Sequence, residues 1–226
     1  MIMKTFRRLT RHWLAILNLF WVVYTGLPWL APLLMHIGAD GAGRVIYTLY
    51  RTQCHQMAQR SLFLFGQQPM YSLAELQAVW PEAIGLEGLR AVIGNEEMGW
   101  KVAWSERMVT MYAATFIFGL LFALVRQRLR PIPVWLFLLL LLPMVLDGGT
   151  HFVSDLSGMG QGFRETNVWL AELTGSRLPA SFYAGDALGS FNSWLRLLTG
   201  GLFGLGLVGF VYPHLEAVFR TWATDK

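Results

Sequence analysis

Between residues 132 and 153 the chain reads Ile132-Pro-Val-Trp-Leu-Phe-Leu-Leu-Leu-Leu-Leu-Pro-Met-Val-Leu-Asp147-Gly-Gly-Thr-His151-Phe-Val153, with no charge before Asp147. At 1.5 Å per helical residue such a run crosses roughly 30 Å of hydrocarbon. It is read as a transmembrane span. The preceding turn, Arg126-Gln-Arg-Leu-Arg-Pro-Ile-Pro, carries three arginines and no acid, and a second apolar run, 108–125, lies on its other side. The two runs form a hairpin whose turn faces the cytoplasm by the positive-inside rule.

Two more spans follow outward from this hairpin, at 13–35 and 194–215. The first is longer than a secretory apolar core, lacks a small-x-small cleavage site, and is read as a retained anchor. Its basic tail, Lys4, Arg7, Arg8 and Arg11, independently places the N-terminus inside. Pro28 and Pro32 predict a kink or an early end there. The fold class is therefore an all-α membrane protein of four transmembrane helices, one integral-membrane domain over 1–226. Both termini are expected in the cytoplasm of a bacterial inner (plasma) membrane.

Composition agrees: 54% of residues are hydrophobic, 14% are charged and ten are tryptophan, a residue suited to bilayer interfaces. A net charge of +4 in a soluble chain would suggest nucleic acid. Here the basic residues flank apolar runs, which points to anionic membrane lipid as partner and excludes nucleic acid. One cysteine, Cys54, permits no internal disulfide, and no finger spacing exists for structural zinc.

By this topology two polar segments, 36–108 and 154–193, lie outside. In the first, Gly43 to Arg60 sets Val45, Leu49 and Met57 near one face and Arg44, Arg51 and His55 on others, predicting an amphipathic helix lying on the membrane. Ser72-Leu-Ala-Glu75 is a capping box opening a short helix that Pro81 ends, and Gly94-Asn95 marks a turn. The second segment holds one short helix near 166–174.

Asp147 sits roughly 22 Å from Ile132 along its helix, near the outer boundary of the core. An acid at that depth needs a partner. Arg196 enters at a similar depth and Arg107 is the other candidate, so a structural cluster of Arg107, Asp147, Asn192 and Arg196 is expected. The alternative makes Asp147 part of a reaction site. Asp147, His151 and Asp155 are spaced i, i+4, i+8, a candidate divalent-metal set if Gly148 and Gly149 leave the helix intact. Cys54-His55 offers a thiolate beside an imidazole, although neighbours on a helix point about 100° apart. Gly200 and Gly204 form a GxxxG that signals close packing, within this chain or with a partner.

Three motifs, Tyr50-Arg-Thr-Gln-Cys54-His55-Gln56 through Arg60-Ser61, Leu142-Pro-Met-Val-Leu-Asp147-Gly148, and Asn192-Ser-Trp-Leu-Arg196-Leu-Leu-Thr199-Gly200, together resemble domain of unknown function 2085. This is a prokaryotic integral-membrane family, and the likeness runs from Tyr50 to Phe210. The Ile93–Lys101 loop looks like members from filamentous green non-sulfur bacteria. The family pattern carries a cysteine at the start of the second span, where this chain reads Ser105-Glu106-Arg107-Met108, and commonly a glutamine at the place of His151. The resemblance implies fold and topology and no activity.

Two functions are thus expected to compete. One is an accessory or head-group-binding subunit (lipid, quinone or pigment), with other membrane subunits as candidate partners. The other is a metal-assisted hydrolase of lipid-linked substrates with Asp147, His151, His55 and Cys54 as candidate catalytic groups. A transporter is disfavoured because no inverted repeat is visible.

Overall fold

The computed structural model describes residues 10–224. Lys4, Arg7 and Arg8, which carry one of the two orientation arguments, lie outside the described residues. In chain order the elements are α1 (Trp13–His36), α2 (Asp40–Tyr50), a 3-10 turn (Ala58–Arg60), β1 (Ser61–Leu64), α3 (Leu73–Val79) and α4 (Gly85–Ala91). There follow β2 (Gly94–Asn95), β3 (Gly99–Ser105), α5 (Glu106–Val125), α6 (Val134–Asp155), α7 (Phe163–Thr166), α8 (Val168–Thr174), α9 (Ala180–Tyr183) and α10 (Phe191–Thr224).

Four of these, α1, α5, α6 and α10, are long and apolar enough to cross a membrane, as the hydropathy pattern predicts. Their outer faces are apolar because lipid is their solvent: α6 exposes Leu138, Leu142 and Val145. Pro28 and Pro32 do not end α1, which runs on to His36. Gly148 and Gly149 likewise sit inside a continuous α6. Pro133 takes the N-cap position of α6, so the helix opens at Val134 rather than Ile132.

α10 is the hub of the bundle, and its glycines explain why. A Cβ at Gly204 would lie 2.7 Å from Ala114 Cβ of α5, and one at Gly200 would lie 3.0 Å from the Met111 backbone nitrogen. The GxxxG therefore packs within the chain, backbone against backbone. Gly206 and Gly209 meet Leu140 and Ile132 on the α6 side. At the arginine-turn end, Glu216 of α10 accepts from Trp13 Nε1 (2.9 Å) and Arg126 Nη2 (3.1 Å), fastening α1, α5 and α10 together.

The opposite, polar end adds a small sheet to the helical fold that the sequence predicts. β1, β3 and β2 form an antiparallel sheet in the order β1-β3-β2, with Phe63 opposite Lys101 and Gly94 opposite Trp100. Gly94-Asn95 is thus a strand preceding the turn Glu96–Met98, not the turn itself. Gly94 has φ +126°, and a side chain there would strike the Gly99 carbonyl at 2.0 Å. Strand β3 passes directly into α5, Ser105 closing one and Glu106 opening the other.

The amphipathic helix also needs correction. α2 ends at Tyr50, ten residues short of the Arg60 boundary. It packs antiparallel on the end of α1, Gly43 against Met35 and Ala31 and Tyr50 donating to the Tyr24 carbonyl at 2.8 Å. Gly43, Ile46, Tyr47 and Tyr50 are buried, while Val45 and Leu49 are exposed. Met57 belongs instead to a separate core with Phe63, Tyr71, Leu76 and Leu89. Each such side chain contributes about 1.5–3 kcal/mol on burial, so the loop over the bundle has its own reason to be ordered. The Ser72–Glu75 capping box forms in full, and α3 stops at Val79 before Pro81.

Candidate functional site

Glu106 and Arg107 open α5 as an acid and a base at one level of the bundle. Glu106, 1% exposed, accepts from Ser193 Oγ (2.6 Å) and Arg196 Nε (2.8 Å). Arg196 Nη1 reaches Asp186 Oδ1 at 2.6 Å, and Asp186 Oδ2 accepts from Arg60 Nε at 2.6 Å. Arg60 then donates from both terminal nitrogens to Asp155, at 2.7 and 2.8 Å. A second branch runs beside this one. Asp147 accepts from Arg107 Nη2 at 2.7 Å and Arg164 Nη2 at 2.9 Å. Arg164 also donates to Asn192 Oδ1 at 3.0 Å.

Loop geometry supplies what the helices do not. Asn167 adopts a left-handed conformation at φ 43°, and its side-chain amide donates to the carbonyls of Arg164 and Tyr183, at 2.8 and 2.7 Å. That fold-back aims Arg164 down at α6 and α10. Burial would raise the Asp186 carboxyl, but Arg60 and Arg196 together hold it well below the usual carboxylate range. Burial likewise opposes the charge on Arg60, which Asp186 and Asp155 stabilise. His55 is pushed down to about 3 by burial and then by Arg60, so it is neutral at physiological pH.

The predicted cluster of Arg107, Asp147, Asn192 and Arg196 therefore comes together at one end, with altered pairings. Asp147 pairs with Arg107, the second of the two candidates. Arg196 does not pair with Asp147, because Glu106 and Asp186 already bracket its guanidinium. Asn192 reaches Asp147 through Arg164.

The metal set Asp147, His151 and Asp155 is not assembled: among the described residues no group of three His, Cys, Asp or Glu side chains is placed to hold an ion. Asp147 and Asp155 are each engaged by guanidinium groups, on different arginines. His151 Nε2 stands 3.9 Å from Asp147 and 3.3 Å from Arg164 Nη2.

Cys54 and His55 lie in the coil after α2, where the 100° helical separation no longer applies. Cys54 Sγ is buried, accepting from the backbone of Ser105 at 3.3 Å and Gln56 at 3.4 Å. Reasoning from sequence missed Glu106, Arg60, Arg164 and Asp186. An acid opening an apolar run was a signal for Glu106. Arg164, in the short helix α7, and Asp186, in a glycine-containing loop, stand in elements with no periodicity to place them.

A second polar feature flanks the bundle. A pocket of about 360 Å³ between α2 and α4 is lined by Arg44, Arg51 and Arg90 with Glu87 as its only acid. Glu87 binds both Arg51 and Arg90. Arg44 makes no ion pair among the described residues. Beneath the pocket, fully buried Lys101 donates to the carbonyls of Gln56 (2.8 Å) and Arg90 (2.7 Å), and burial pushes its ammonium down to about 7.

Fold and site together define a polytopic membrane protein with a buried ionic cluster at one end. Residues 97–210, which include α5, α6 and most of the apolar part of α10, match the family described as predicted membrane protein, DUF2085, and the chain belongs to that family. Searches of curated proteins and of solved structures find no match.

Proposed function

We propose that this chain is a non-catalytic, head-group-binding membrane protein that holds the phosphate of an anionic lipid in the pocket formed by Arg44, Arg51 and Arg90. It would do so in the bacterial inner membrane with both termini in the cytoplasm. The observation that carries the reading is the pocket's charge: three guanidinium groups face one carboxylate, in a volume of about 360 Å³. That size lies in the range of small-ligand sites, and planar guanidinium forks match phosphate geometry. Exposed Val45 and Leu49 on the same helix as Arg44, which Arg51 caps, supply an apolar flank for acyl chains.

A phosphate ligand is favoured over a quinone or pigment because three of the nine lining residues are arginines and only one, Tyr47, is aromatic. The hydrolase alternative lacks comparable support. Of its candidate groups only His55 and His151 line a shared cavity, which at about 20 Å³ is too small for a scissile ester.

Native mass spectrometry of the purified protein, exchanged into mixed phosphatidylglycerol and phosphatidylcholine, tests the proposal. The phosphatidylglycerol adduct should persist preferentially, and the double variant R44Q/R51Q should lose that preference several-fold. Equal retention of the two lipids by the unaltered protein would overturn it.

A further inference from the structure

The small cavity at the centre of the ionic cluster is lined by His55, Arg60, Ser105, Arg107, His151 and Arg196, with no carboxylate among them. Hydrogen-bond logic fixes what each presents. The backbone N–H of Met57 donates to His55 Nδ1 at 3.1 Å, so neutral His55 carries its proton on Nε2. Arg164 Nη2 lies 3.3 Å from His151 Nε2, and a guanidinium only donates, so neutral His151 carries its proton on Nδ1.

That Nδ1 has no partner among the described residues, although His151 is only 3% exposed. Arg107 Nε, also buried, has none either, its Nη2 being committed to Asp147. Ser105 adds a hydroxyl. Two histidine N–H groups, three guanidinium groups and one hydroxyl thus surround a space of about 20 Å³. A space that size holds one water-sized particle. Unpaired buried donors each carry a desolvation cost, which a single acceptor at the centre would relieve together.

We infer that this cavity is a receptor for one monatomic anion of the halide class. The carboxylates of the cluster are held by its arginines, and none of them lines the cavity. A tetrahedral oxyanion does not fit the volume. The inference is independent of the lipid pocket, which lies between other elements and has its own probe.

The test uses the full-length protein in detergent, exchanged into sodium gluconate and titrated with chloride or bromide at constant ionic strength. Thermal unfolding should shift up saturably by roughly 2–4 °C per kcal/mol of binding for a chain of this size, with gluconate inert. H151L should lose the halide-dependent shift. Crystals or grids need no variant: bromide-soaked crystals should give an anomalous peak within hydrogen-bonding distance of His151 Nδ1 and Arg107 Nε. Identical melting in chloride and gluconate, or bromide-soaked crystals with no peak and a water alone in the cavity, would overturn the inference.

Discussion

Asp147 shows what a single charge inside an apolar run demands. It receives two guanidinium groups, at 2.7 and 2.9 Å, and breaking such a buried arrangement leaves uncompensated charge at a cost on the order of 3–5 kcal/mol. Asp147→Ala should lower unfolding free energy by about that amount in detergent. A double-mutant cycle should find strong coupling between Asp147 and Arg107, and between Glu106 and Arg196, but under about 0.5 kcal/mol between Asp147 and Arg196. Strong coupling in the last pair would show that the two branches are wrongly separated.

Lys101 gives a pH test of opposite character. Its folded-state ammonium is depressed from 10.5 to about 7, so between those values the unfolded chain binds more protons and stability rises with pH. Below about pH 7 both states are protonated and the burial penalty is present in full. Denaturation series from pH 7 to 10 should therefore show an upward slope that K101M flattens. Asp147 and Arg107 were legible in the sequence because a charge in or beside an apolar run announces itself. Arg164 and Asp186 were not, because only the Asn167 fold-back brings their loop down to the bundle.

At the scale of elements, the four spans were legible because length and hydropathy alone specify them, whereas their neighbours were decided by tertiary contact. The spacing of Val45, Leu49 and Met57 suits a helix that continues to Arg60. Gln56 nevertheless takes φ 53°, with its side-chain amide donating to the carbonyls of Tyr47 and Ala103, and neither glycine nor proline flags that break. β3 escaped notice because nearly every residue in it is buried, which erases the alternation that marks a strand. The glycines of α10 yield a sharp contrast. A Cβ at Gly204 meets α5 at 2.7 Å, while one at Gly201 meets nothing within 4 Å. G204A should lower the melting temperature by several degrees and G201A should leave it nearly unchanged, as read by a thermal scan in detergent. Equal effects would remove packing as the explanation of the GxxxG.

For the whole molecule, the arginine turn at Arg126–Arg130 and the ionic cluster lie at opposite ends of α5, about 30 Å apart at 1.5 Å per residue over 20 residues. The proposed orientation puts the turn in the cytoplasm. With Cys54 buried and silent, a cysteine introduced at Gln127 should resist a membrane-impermeant maleimide in intact cells, and one at Gln67 should react. The reverse pattern would invert the orientation. The long range of the ion pairs has a consequence for biosynthesis. Arg60 leaves the ribosome 126 residues ahead of Asp186, and Glu106 leaves it 90 ahead of Arg196. Until the last helix is delivered, a nascent chain therefore exposes unneutralised arginines and acids at its bilayer boundary. A product truncated before Asp186 leaves Arg60 without Asp186 and Glu106 without Arg196, and should be degraded faster in cells than the full chain.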